Sequence, residues 1–132
     1  MDYYKFKLAH WNANSISDKW DEAKNFIHTH DIDIMAIGET KLTEKTKLFI
    51  EGYLITRSDR DSHVGGVLII CKNTIEHYQI PANTRNFEAV GIKLLNGPNI
   101  FSIYSPAKLD TNDLTTLSER FYSSVSQKGQ SL

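Results

Sequence analysis

One cysteine, three prolines and no long apolar run set the first limits on this 132-residue chain. A single thiol can form neither an internal disulfide nor a multi-cysteine zinc site, which excludes disulfide scaffolds and zinc ribbons. Cys71 closes the longest apolar run, Val67-Leu-Ile-Ile-Cys71, and is expected to be a buried, inert thiol in a reducing, intracellular setting. That run falls far short of the ~20 residues that cross a bilayer. The opening Met-Asp-Tyr-Tyr-Lys-Phe-Lys has no continuous apolar core of the kind a secretory signal needs, so no membrane partner is expected. Neither sign of charge dominates. The 15 Lys and Arg face 16 Asp and Glu, for a net charge of −1, and neither half of the chain is strongly basic. The simplest electrostatic case for nucleic-acid binding is therefore absent. No internal repeat, low-complexity tract or Gly/Pro linker divides the sequence.

The residues present pattern as one α/β domain. Hydrophobic positions make up 40% and charged ones 23%, the mix of a globular fold of single-domain length. Tyr4, Phe6 and Leu8 alternate with Lys5 and Lys7, which predicts a strand from Tyr4 to Trp11 with one face wet at its start. Asn12-Ala-Asn-Ser15 breaks the alternation. Ser17 or Asp18 can cap a helix whose first turns hold Asp21 and Glu22, where the helix dipole favours acids. Trp20, Ala23, Ile27 and His30 give that helix one buried stripe, and it should end near residues 28–30. Ile32-Asp-Ile-Met-Ala-Ile-Gly38 follows as a nearly continuous apolar strand. Strand, helix and strand in about forty residues read as a βαβ unit with parallel strands.

Glu39 to Lys47 is polar and forms a loop past the end of the second strand. Tyr53–Thr56 and Gly66–Lys72 are further strands, with Thr74–Ile80 as a candidate partner of the latter. Residues 87–95 and 99–104 flank Asn96-Gly97, a pair suited to a hairpin turn, and Pro98 makes that turn irregular. Asp110 to Gln127 is helical by the spacing of Leu114, Leu117, Phe121 and Val125, with Asn112 or Asp113 as its cap. Two helices on one side of about six strands leave a difficulty. Ile34 to Ile37 and Leu68 to Cys71 supply apolar side chains to both faces of the sheet, so a second covering layer is needed that 132 residues barely provide.

Ligands of open α/β sheets gather beyond the carboxyl ends of parallel strands. The first strand ends in His10-Trp-Asn-Ala-Asn14 and the second in Gly38-Glu-Thr-Lys41, which brings Asn12 and Glu39 within reach of each other. A carboxylate beside a carboxamide suits a hard divalent cation such as Mg²⁺. The plainer alternative is a solvated loop acid and a turn asparagine. Tyr104 can end a hairpin strand with its ring packed and its hydroxyl in water. Arg57 and Arg60 alternate with Asp59 and Asp61, so local pairing competes with any phosphate contact. Gly65-Gly66 serves a turn or a close backbone approach. His28 and His30 point different ways on a helix and make a poor metal pair.

Five segments in order carry a resemblance: Trp11-Asn-Ala-Asn14; Ile32-Asp-Ile-Met-Ala-Ile-Gly-Glu-Thr-Lys-Leu42; Gly52-Tyr53; Arg57-Ser-Asp-Arg60 followed by Gly65-Gly66; and Ile100-Phe-Ser-Ile-Tyr-Ser-Pro106. Over about residues 6–108 the chain resembles the endonuclease/exonuclease/phosphatase superfamily, above all the apurinic-endonuclease-like domain of non-LTR retrotransposons. The resemblance implies a DNase I-like α/β/β/α four-layer sandwich, here partial, with a mixed sheet and two main helices. It implies phosphodiester hydrolysis with Mg²⁺ or Mn²⁺, DNA as partner and a nuclear location, although no basic localisation cluster is present. Glu39 matches the family's metal-binding glutamate and Asn12 the asparagine that completes the metal site. Tyr104 matches the tyrosine at the scissile phosphate. Asn14 falls where relatives carry Asn or Asp near the metal, Arg57 and Arg60 lie in a loop that is basic in retroelement relatives, and the three are the candidate DNA contacts that the resemblance implies.

The departures carry equal weight. The family's Asp-x-Asn motif and terminal Asp-His pair follow the helix that here runs to about Gln127, so residues 1–132 are expected to form one C-terminally truncated domain. Asn112-Asp113 is better explained by capping. Pro106-Ala107 replaces a Pro-Pro more usual in retroelement relatives. A fragment of a retroelement endonuclease, inactive alone and weak in metal binding, is the resulting expectation. The alternatives are a non-enzymatic α/β module that self-associates or binds a partner through an uncovered sheet face, and a phosphatase or sphingomyelinase substrate.

Overall fold

The structure is a computed structural model and describes residues 6–43, 45–59, 65–82 and 88–104. The first strand, β1 (Leu8–Asn12), leads through a short 3-10 turn at Ser17–Lys19 into helix α1 (Trp20–Thr29) and back into β2 (Ile34–Gly38). β1 and β2 are parallel, with Leu8 opposite Ile34 and Asn12 opposite Gly38. The expected βαβ unit is therefore formed. The chain then places β3 (Tyr53–Ser58) and β4 (Val67–Lys72) as an antiparallel pair, and β4 also runs antiparallel to β2. The first sheet has the order β1-β2-β4-β3.

A second sheet follows. β5 (His77–Ile80), β6 (Glu88–Leu94) and β7 (Asn99–Tyr104) are antiparallel in the order β5-β6-β7. The β6–β7 hairpin turns through residues 95–98 as the Asn-Gly signal predicts, and its irregularity is a Leu94 N–H to Pro98 carbonyl bond of 3.4 Å. Thr74–Ile80 does not pair with β4: its strand pairs with β6 in the other sheet, Ile80 opposite Gly91.

Strand alternation explains how the sheets stack. In β2, Met35 and Ile37 face α1, where Ala23 and Ile27 are buried against them together with Leu68 and Ile70 of β4. Ile34 and Ala36 face the other way and join Val67, Ile69, Val90, Ile92 and Leu94 between the sheets. The second sheet is thus the layer that β2 and β4 require, and the expectation of an uncovered face is corrected. Its cause is plain: strands 77–104 are hydrophobic on the parity that meets the first sheet, and they leave that sheet instead of extending it. Cys71 lies in this inter-sheet core, and burial pushes its thiol up to about 12.

Two local expectations also change. Neither Ser17 nor Asp18 caps α1, because the 3-10 turn intervenes and Lys19 occupies the cap position without a side-chain bond. His30 is exposed at the C-cap, tilted against Phe26 at 4.6 Å between ring centroids, and is not part of the buried stripe. The second helix, expected over 110–127, lies outside the described residues. Among the described residues, no helix is long and apolar enough to cross a membrane.

Candidate functional site

Parallel pairing decides where the candidate residues meet. Asn12 ends β1 opposite Gly38, and Glu39 is the next residue along β2. The loops beyond are stitched together by backbone bonds: Ala13 N–H to Gly38 O at 2.9 Å, Ser15 N–H to Glu39 O at 2.8 Å and Ile16 N–H to Thr40 O at 3.0 Å. Asn12 is exposed and Glu39 half-buried on one rim. The backbone there is held away from its easy conformations, with Asn14, Ser15, Glu39 and Lys41 at φ 47°, 85°, 50° and 53°. Such left-handed non-glycine residues persist where surrounding bonds over-determine them.

The start of β4 closes the next side of the rim. Thr40 N–H donates to Gly66 O at 3.2 Å and Lys41 N–H to Gly65 O at 2.8 Å. The second sheet arrives from below. Tyr104, half-buried at the end of β7, pairs across the strands with Glu88, and its ring packs against the inter-sheet core. Buried Ser102, two residues earlier, donates its hydroxyl to Ile37 O at 3.4 Å. Asn12, Glu39 and Tyr104 therefore come from three strands to one end of the sandwich.

The fold has solved counterparts. A 3′ phosphatase (NExo, D146N) from Neisseria bound to a product DNA hairpin superposes with a TM-score of 0.62 at 18% identity, over 93% of this chain and 51% of that one. An AP endonuclease from Archaeoglobus fulgidus gives 0.62 at 20% identity, over 93% and 52%. The chain shares the fold of these two enzymes. In sequence, the chain is 29% identical over 124 residues to a probable RNA-directed DNA polymerase from transposon X-element of Drosophila melanogaster, covering 87% of this chain and 14% of that protein. It is 27% identical over 106 residues to the RNA-directed DNA polymerase from mobile element jockey of the same organism, covering 76% and 12%. The expected resemblance thus appears in fold with an AP endonuclease and a 3′ phosphatase, and in sequence with retrotransposon proteins. No family model matches the chain. It spans about half the length of the solved neighbours and about one-eighth of the retrotransposon proteins.

The ion expected from the sequence is Mg²⁺ or Mn²⁺. Glu39 and Asn12 offer one carboxylate and one amide oxygen, hard donors that fit Mg²⁺ or Mn²⁺, ions that keep several waters and take one or two carboxylates. Among the described residues, no group of three or more His, Cys, Asp or Glu gathers to complete a shell. The described part therefore fits one side of a metal site.

The remaining candidates divide. Asn14 is exposed beside the rim, and its amide oxygen accepts a 2.6 Å bond from Lys41 Nζ. Arg57 is committed inside the protein. Its Nε donates to both Asp59 oxygens at 3.1 and 3.0 Å, Nη1 to Thr46 O at 2.7 Å and Nη2 to Thr43 O at 3.0 Å. The local-pairing alternative is what its geometry displays. Arg60 lies outside the described residues. Three rim residues escaped sequence reasoning: Lys41, which holds Asn14; Thr40, fully buried with no partner for its hydroxyl among the described residues; and Glu88. Glu88 had a signal. It shares the parity of Val90, Ile92 and Leu94, so a carboxylate was being placed on the core-facing side of a strand.

Proposed function

We propose that this chain is part of a divalent-metal-dependent phosphodiesterase of the retrotransposon DNA-endonuclease type, and that it carries one side of the metal site. The observation that supports this reading most is the β1–β2 register, which delivers Asn12 and Glu39 to one rim. Glu39 and Asn12 would hold Mg²⁺ or Mn²⁺, and the ion, when bound, offsets charge on the phosphoryl and leaving oxygens. Tyr104 donates a hydrogen bond to a phosphate oxygen as negative charge gathers there. Asn14 and Arg60 are the candidate DNA contacts, with phosphate contacts setting register on the duplex. For Arg57 the internal bonds favour a supporting role, in which it shapes the loop at 43–46. DNA is the proposed partner because the solved neighbours include an AP endonuclease and a phosphatase bound to a DNA hairpin, and a chromosomal target would place the protein in the nucleus.

We infer further that these 132 residues do not turn over substrate by themselves. Support comes from the half-length match to the solved neighbours and from the described rim, where no group of three or more His, Cys, Asp or Glu gathers. Against the interaction-module alternative, the face of the first sheet opposite the helix packs on the second sheet, which favours the nuclease reading. Mn²⁺ titration followed by electron paramagnetic resonance tests the metal site. One weak site should appear in the native chain and vanish in Glu39→Gln, and equal binding by both proteins would remove the reading.

A further inference from the structure

Between the Glu39 loop and Tyr104 lies a dipeptide that the roles above do not use. Gly65 and Gly66 both have left-handed backbones, at φ +69° and +89°. On one side their carbonyls accept the Lys41 and Thr40 N–H groups that follow Glu39. On the other side Gly66 N–H donates to Glu88 Oε1 at 3.4 Å, and Glu88 is the cross-strand partner of Tyr104. Neither glycine has room for a side chain. A Cβ on Gly65 would stand 2.5 Å from Glu88 Oε1 and 3.0 Å from the Tyr104 ring, and one on Gly66 would strike the Thr40 hydroxyl. Only glycine combines this conformation with so close an approach.

We propose that Glu88 and the Gly65-Gly66 step are positioning residues that fix the height of Tyr104 relative to Glu39. The inference rests on the function proposed above and adds to it a residue that the metal and phosphate roles leave out. The physical argument is one of spacing. Glu39 sits at the end of the first sheet and Tyr104 at the end of the second, and two sheets packed through aliphatic side chains can slide. The dipeptide bonds to the first sheet through its carbonyls and to the second through Glu88, so at this end the sheets are locked by directional bonds. Sites of this kind require the reacting groups to be held within about half an ångström by their supporting residues.

The test uses the full 132-residue chain carrying 3-fluorotyrosine, with the Tyr104 fluorine signal assigned by Tyr104→Phe. Added Mn²⁺ should broaden the Tyr104 signal more than those of Tyr53 and Tyr78. In Glu88→Ala that broadening should fall severalfold while Mn²⁺ affinity stays unchanged. Glu88→Gln keeps an acceptor for Gly66 N–H and should restore it, which a merely structural residue would not require. Gly65→Ala should act like Glu88→Ala, and where it fails to fold the two Glu88 variants carry the comparison. Equal broadening in the native chain and Glu88→Ala overturns the inference. Absence of any Glu39-dependent Mn²⁺ effect overturns the proposed function instead, and the metal-free spectrum then decides. A Tyr104 shift that moves in Glu88→Ala and returns in Glu88→Gln supports the positioning role, and one that does not move rejects it.

Discussion

Glu39 combines two properties that seldom coincide in a purely structural residue: a half-buried carboxylate and a backbone at φ 50°. A left-handed conformation costs a side-chain-bearing residue roughly 1–2 kcal/mol, and glycine escapes that cost while losing more entropy on folding. Glu39→Gly should therefore leave stability unchanged or raise it by up to about 1 kcal/mol, read from the urea midpoint, while abolishing Mn²⁺ binding. A clear drop in the midpoint would mean that the carboxylate holds the fold. Arg57 predicts the reverse. Its guanidinium spans Asp59 and two loop carbonyls with little exposure, so Arg57→Ala should cost about 2 kcal/mol, the scale of lost charge-assisted hydrogen bonds. If Arg57 also touched phosphate, its loss would lower the salt dependence of DNA binding by about one counterion. An unchanged salt slope keeps it as a support for the loop.

At the opposite end of the strands a second device holds the first sheet. Lys72 of β4 bonds Asp31 at 2.7 Å and Asp33 at 3.0 Å, Asp33 accepts from Lys7 N–H at 2.7 Å, and Tyr53 of β3 donates to Ile32 O at 2.6 Å. The hydrogen bond from Lys72, with its charge, holds the Asp31 carboxyl below its ordinary value of 3.8, and bonds to both aspartates hold the Lys72 ammonium above its ordinary 10.5. The depressed acid contributes stability above its unfolded value and loses it as pH falls through the folded one. The raised lysine contributes below 10.5 and loses it as pH climbs. The urea midpoint should be flat between about pH 5 and pH 8 and decline on both sides, the alkaline side beginning with the buried Cys71 thiol, pushed up to about 12, and continuing through Lys72 above 10.5. Lys72→Met should flatten the acid decline and only part of the alkaline one, and high salt should shrink the ion-pair share because Asp31 is exposed. These strands also show what was legible beforehand. The β1–β2 unit could be read because two apolar runs flank a helix with one buried stripe. The partner of residues 77–80 could not, because sequential strands usually pair and the choice between β4 and β6 rests on long-range packing that no local pattern records. Likewise Asn12 and Glu39 were legible as strand ends, whereas Lys41, Thr40 and Glu88 acquire meaning only when two sheets meet.

The described residues form a stack of helix, four-stranded sheet and three-stranded sheet, with Ala82 and Ala89 buried on the far side of the second sheet beside Phe101 and Ile103. The two sheet edges and the candidate rim share this frame, so metal binding and DNA cleavage separate as expectations. One carboxylate and one amide oxygen can hold an ion weakly, but hydrolysis also needs a group to take the proton from water and groups to stabilise the phosphorane. Each general acid or base typically contributes about 10²–10⁴-fold, and among the described residues no group of three or more His, Cys, Asp or Glu gathers at the rim, so on the function proposed above these residues should fall at least about 10²-fold short of a complete enzyme. A net charge of −1 adds no long-range attraction to DNA that could compensate. In a supercoiled-plasmid assay with Mg²⁺, the 132-residue chain should therefore show no nicking above the Glu39→Ala control. A polypeptide that continues these residues through the length of the solved neighbours should nick, and should lose that activity on Glu39→Ala. Nicking by the shorter chain that disappears in Glu39→Ala would place the full catalytic set within these 132 residues, while an active longer polypeptide indifferent to Glu39 would move the metal site elsewhere.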